Sequence, residues 1–124
     1  MINIKPLKAY TDNYIWLLET NEEVSVVDPG DAKPVLDYLS KTNKNLRDIF
    51  ITHHHFDHTA GVPELENIIS GSIYGPKNSY ELINEKVTQG DTLSSLGIQF
   101  EIIEVPGHTL DHIAFYNEEN NILF

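Results

Sequence analysis

The sequence predicts a mixed α/β domain that is strand-rich at both ends. Three observations carry this expectation. Short β-branched or alternating runs recur at residues 24–27, 49–52 and 98–105. Between the first two lies a stretch with Val35, Leu36 and Leu39 at helical spacing. Both histidine clusters directly follow predicted strands, where loops of α/β proteins build their sites.

In chain order, residues 2–8 and 14–20 alternate well enough to form two strands joined by Thr11, Asp12 and Asn13. Residues 24–27 form a third strand. It stops at Asp28-Pro29-Gly30, where proline fixes φ and glycine permits a positive one. Residues 31–41 form a helix with Pro34 near its first turn, where a missing N–H costs little. Residues 49–52 are a short buried strand leading into the first histidine cluster. A short helix at 63–69 and a strand at 72–75 follow, and residues 76–85 carry no clear period. Leu96-Gly97 turns into the strand 98–105. The second histidine cluster precedes another strand at 113–116, a turn at 117–121 and the start of a strand at 122–124.

At 124 residues the chain is expected to be a single domain, 1–124. No apolar run approaches 18 residues, so no transmembrane helix is expected. The first residues lack the basic and apolar regions of a secretory leader, and the chain has no cysteine; both fit the cytoplasm. The formal charge of −11 disfavours nucleic acid and anionic membrane surfaces as partners.

All six histidines fall in two clusters, Thr52-His53-His54-His55-Phe56-Asp57-His58 and Pro106-Gly107-His108-Thr109-Leu110-Asp111-His112. Imidazole is the commonest side-chain metal ligand, and a carboxylate among imidazoles suits zinc, iron or manganese. In an extended loop His53 and His55 project to one side, while Asp57 and His58 follow where the loop turns into a helix. Such a segment can serve two metals roughly 3.5–4 Å apart. His108 would complete a three-histidine set that leaves a position open for water, the arrangement of catalytic sites. Gly61 and Gly107 would let the backbone pass close to the metals. Taken alone, His112 is expected to be an ordinary surface or core histidine, and His54 a packing residue. Asp28 divides evenly between turn chemistry and orienting a ligand histidine.

His53-x-His55-x-Asp57-His58 with the downstream Gly107-His108 resembles the metallo-β-lactamase superfamily. Thr11-Asp12-Asn13-Tyr14, Val27-Asp28-Pro29-Gly30-Asp31 and Pro106-Gly107-His108-Thr109 narrow the likeness to glyoxalase II, the hydroxyacylglutathione hydrolases. The resemblance implies the N-terminal half of an αββα sandwich. It implies that His53, His55 and His108 hold a first metal, and that Asp57 and His58 belong to a second. The implied reaction is hydrolysis of S-D-lactoylglutathione and related glutathione thioesters to D-lactate and glutathione by a metal-bound hydroxide. Zinc is the expected metal, with iron or manganese as alternatives.

Asp111 stands where that family usually has glycine. The family's bridging aspartate, a further histidine and its glutathione-binding groups lie in a part expected beyond Phe124, so about one metal is expected here. The expected partners are therefore a complementing C-terminal half or a second copy pairing with the strand at 122–124. Alternatives are a persulfide dioxygenase, another enzyme of the superfamily, or a non-catalytic metal-binding module.

Overall fold

The computed structural model describes residues 2–9, 13–53, 56–77, 80–105 and 112–124. Among these, ten strands form two sheets. In the first, β1 (Asn3–Ala9), β2 (Asn13–Glu19) and β3 (Glu23–Val27) run antiparallel. β4 (Asn45–Phe50), β5 (Ile73–Pro76) and β6 (Glu85–Val87) continue it in parallel. The second sheet is an antiparallel meander of β7 (Thr92–Ser95), β8 (Ile98–Glu104), β9 (Ile113–Asn117) and β10 (Ile122–Leu123).

Between β3 and β4 runs α1 (Ala32–Thr42). The Asp31 side chain caps it by accepting from the Lys33 N–H at 3.1 Å, and Asn43 closes it in the left-handed conformation. α2 (Phe56–Thr59) and α3 (Val62–Leu65) follow β4, and a 3₁₀ turn, Glu66–Ile68, ends that segment.

Side-chain alternation sorts the core into two layers. Ile15, Leu17, Val24 and Val26 bury one face of the first sheet against Val35 of α1 and Val62 and Leu65 of α3. Leu18, Val27 and Phe50 point the other way and pack on Phe100, Ile102 and Phe115 of the second sheet. Phe50 stacks on Phe115 at 4.8 Å and meets Phe100 edge-on at 5.4 Å. Truncating so central a ring costs about 3–5 kcal/mol.

Five details differ from the sequence reading. The expected 63–69 helix divides into α3 and the 3₁₀ turn, and β4 starts at Asn45 because pairing with β3 begins there. Leu36 is 37% exposed, and the buried face of α1 is Ala32 and Val35 with Tyr38 and Leu39 beside them. β7 has little apolar content of its own. It is held by pairing with β8 across a two-residue turn in which Leu96 and Gly97 both have positive φ, the geometry that matches strand twist. In the Asp28-Pro29-Gly30 turn the left-handed residue is Asp28, at φ 51°, rather than Gly30.

Candidate metal centre

Parallel pairing brings the C-terminal ends of β3 and β4 to one edge of the first sheet. The Asp28 N–H donates to the Phe50 carbonyl at 2.8 Å. The Thr52 carbonyl accepts from the Ile113 N–H at 3.0 Å, so the end of β4 is tied to the start of β9 in the other sheet. Three segments therefore meet at this edge, carrying Asp28, Thr52-His53 and His112, and α2 adds His58.

The Asp28 carboxylate is buried, and each of its oxygens accepts a hydrogen bond from Thr52. Oδ1 accepts from the Thr52 N–H at 2.8 Å and Oδ2 from the Thr52 hydroxyl at 2.6 Å. His58 Nδ1 lies 3.3 Å from the same Oδ2. The Thr52 hydroxyl has one proton and gives it to Asp28, so its oxygen accepts from His53 Nδ1, 2.8 Å away. This places the His53 proton on Nδ1 and the neutral ring's lone pair on Nε2, the form in which imidazole binds a metal.

The rings gather closely: His53 and His58 centroids are 4.3 Å apart, and His53 and His112 centroids 4.6 Å apart. Ligand atoms of Asp28, His53 and His58 all lie within 4.8 Å of one another, and this donor set fits a divalent cation. The left-handed backbone of Asp28 costs roughly 1 kcal/mol, least for residues such as Asp and Asn that tolerate it.

A cavity of about 540 Å³ opens beside the cluster. His53, His58 and His112 form one side, and Ile4, Tyr14, Trp16 and Leu123 the other.

Of the residues singled out in the sequence, His53, His58 and Asp28 are together at this edge. His55 and His108 lie outside the described residues, as do His54, Gly107 and Asp111, and so does the side chain of Asp57. Gly61 sits against the backbone next to Asp28: a Cβ there would come within 2.6 Å of the Pro29 carbonyl oxygen and the Ala32 nitrogen. Its lack of a side chain serves the contact between the Asp28-Pro29-Gly30 turn and the segment after α2. His112, expected on its own to be an ordinary histidine, has its ring beside that of His53. Its signal was membership of the second cluster, and the Thr52–Ile113 backbone bond explains how it reaches His53.

A family model described as "Metallo-beta-lactamase superfamily" matches residues 11–124. The chain belongs to the metallo-beta-lactamase superfamily. Among curated members, the hydroxyacylglutathione hydrolase of Pseudoalteromonas translucida (strain TAC 125) is 49% identical over 126 residues, covering 96% of this chain and 48% of that protein. The protein of the same name from Chromohalobacter salexigens is 47% identical, covering 94% of this chain and 47% of its own length. The chain thus spans about half the length of the curated relatives it matches. Among solved structures, BLEG-1 B3 metallo-beta-lactamase superposes with a TM-score of 0.84 at 19% identity, covering 98% of this chain and 70% of the other. ETHE1 from Myxococcus xanthus gives 0.75 at 24% identity, covering 94% and 53%. At these identities the likeness is one of fold.

Proposed function

We propose that the chain carries part of the active site of a metal-dependent hydrolase that cleaves glutathione thioesters, S-D-lactoylglutathione among them. The observation that carries this reading is 42–49% identity to several proteins named hydroxyacylglutathione hydrolase across nearly the whole chain. The convergence of Asp28, His53, His58 and His112 at one sheet edge supports it.

In this reading His53, His55 and His108 hold a first metal, zinc in preference to iron or manganese, and Asp57 and His58 belong to a second. The metal would supply a Lewis acid that polarises the thioester carbonyl and makes water nucleophilic near pH ~7. The chain's own residues prepare the site for it. The Thr52 hydroxyl bridges Asp28 and His53 by hydrogen bonds, fixing that ring's tautomer, and Asp28 Oδ2 faces His58 Nδ1 at 3.3 Å. Because its oxygens accept from Thr52, which in turn contacts His53, we assign Asp28 the role of positioning residue. The substrate's remaining contacts would come from sequence such as the relatives carry beyond the matched half, supplied as a complementing segment.

The test is thiol release from S-D-lactoylglutathione by the zinc-loaded chain, alone and with the unmatched half of a relative added in trans. Slow hydrolysis alone and a rise on addition are expected. No thioester cleavage under either condition would overturn the reading.

A further inference from the structure

The cavity beside the histidines has two unlike walls, and the second is unexplained by metal chemistry. Ile15 and Leu17 of β2 are fully buried against the helices, so Tyr14 and Trp16, which alternate with them, face the opposite side. Both remain open, Tyr14 at 50% and Trp16 at 40% exposure, with ring centroids 6.4 Å apart. Ile4 and Leu123 extend the same apolar surface. No lysine or arginine is among the cavity's described lining residues. Glutathione is a charged tripeptide whose carboxylates call for cations, so this wall does not match it. An apolar group does match, and a volume of about 540 Å³ is that of an ordinary small-molecule pocket.

Resting on the proposed thioester hydrolysis, we infer that Tyr14 and Trp16 form the wall that receives the acyl chain, selecting apolar acyl groups larger than lactoyl. The carbonyl then lies toward the histidines, the acyl chain lies across the two rings, and the peptide is held elsewhere. The rings are specificity determinants and take no part in bond breaking.

Trp16 is the chain's one tryptophan, so its fluorescence reports on this wall directly. The probes are S-hexylglutathione, S-methylglutathione and glutathione, thioethers or thiol that cannot be hydrolysed. S-hexylglutathione should shift Trp16 emission to the blue, saturate, and bind about tenfold or more tightly than S-methylglutathione, since each buried methylene adds affinity. Tyr14→Ala should lower S-hexylglutathione affinity about tenfold and leave the S-methyl compound unchanged, while Tyr14→Phe retains tight binding. Far-ultraviolet circular dichroism checks that each variant is folded, and Tyr14→Phe carries the comparison if Tyr14→Ala is not.

Equal affinity for the hexyl and methyl compounds, unmoved Trp16 emission, or an inert Tyr14→Ala would each overturn the inference. The two proposals fail separately. A Trp16 response without thioester hydrolysis removes the activity and keeps the wall. Hydrolysis indifferent to acyl length removes the wall and keeps the activity.

Discussion

Asp28 joins backbone and site chemistry in one residue. Its left-handed φ aims the carboxylate back at Thr52, and that carboxylate then governs His53 through Thr52 and His58 directly. Side chain and backbone can be separated experimentally, because glycine accepts φ 51° without strain. Asp28→Gly should therefore keep the turn and lose the orientation of both rings. Removing such an orienting partner typically costs 10–100-fold in metal affinity, and that range is expected for zinc measured by competition with a chromophoric chelator. Asp28→Asn should fall between, since its amide keeps one acceptor and brings donors to face Thr52 and His58. An unchanged zinc affinity in Asp28→Gly would show that the turn alone matters. The Asp-Pro-Gly triplet was visible in the sequence, but its meaning was not. Its hydrogen bonds with Thr52 become visible only in the fold, and they are compatible with either of its two possible roles.

At the level of elements, the far end of the first sheet is held by a buried charge. Glu19, at the end of β2, accepts from the Tyr38 hydroxyl of α1 and pairs with Lys5 of β1 and Lys44 beside β4, both at 2.9 Å. Burial alone would raise its carboxyl pKa. The donors Tyr38, Lys44 and Lys5 outweigh burial and hold it at about 2, below the ordinary 4.5. A folded-state pKa below the unfolded one stabilises above pH 4.5, and the contribution is lost as pH falls from 4.5 towards 2. Glu19→Gln should thus lower the urea midpoint at pH 7, and the gap between variant and parent should narrow by pH 2.5. A gap that stays constant with pH would mean the carboxylate is not what Tyr38 and the lysines stabilise. Elements with their own period or cap, such as β2 and α1, were legible beforehand because local preference and burial agree. β6 and β7 were not. Lys86 and Glu85, or Ser94 and Ser95, carry no strand signal; pairing holds them in place, β6 beside β5 and β7 beside β8 across the two-residue turn. The place of His112 beside His53 was not legible either, since it depends on a bond between the sheets.

Across the whole molecule, a charge of −11 means that divalent cations will collect near the surface whether or not a site exists. Ligand count separates the two kinds of binding. In the proposed reading the clusters offer three histidines, His53, His55 and His108, for one metal, but only Asp57 and His58 for another, and two protein ligands are too few for a tight site. Equilibrium dialysis followed by metal analysis of the 124-residue chain should therefore find about one tightly held equivalent of zinc. Salt distinguishes it from the rest. Diffuse attraction is screened over about 10 Å at 0.1 M ionic strength, whereas direct ligation by imidazole is not. Raising sodium chloride to about 0.5 M should strip loosely associated zinc and leave the single equivalent in place. Two equivalents surviving that wash, with the chain monomeric by sedimentation, would mean that Asp57 and His58 have further ligands within these residues. The division of the clusters into a complete and an incomplete metal position would then fall.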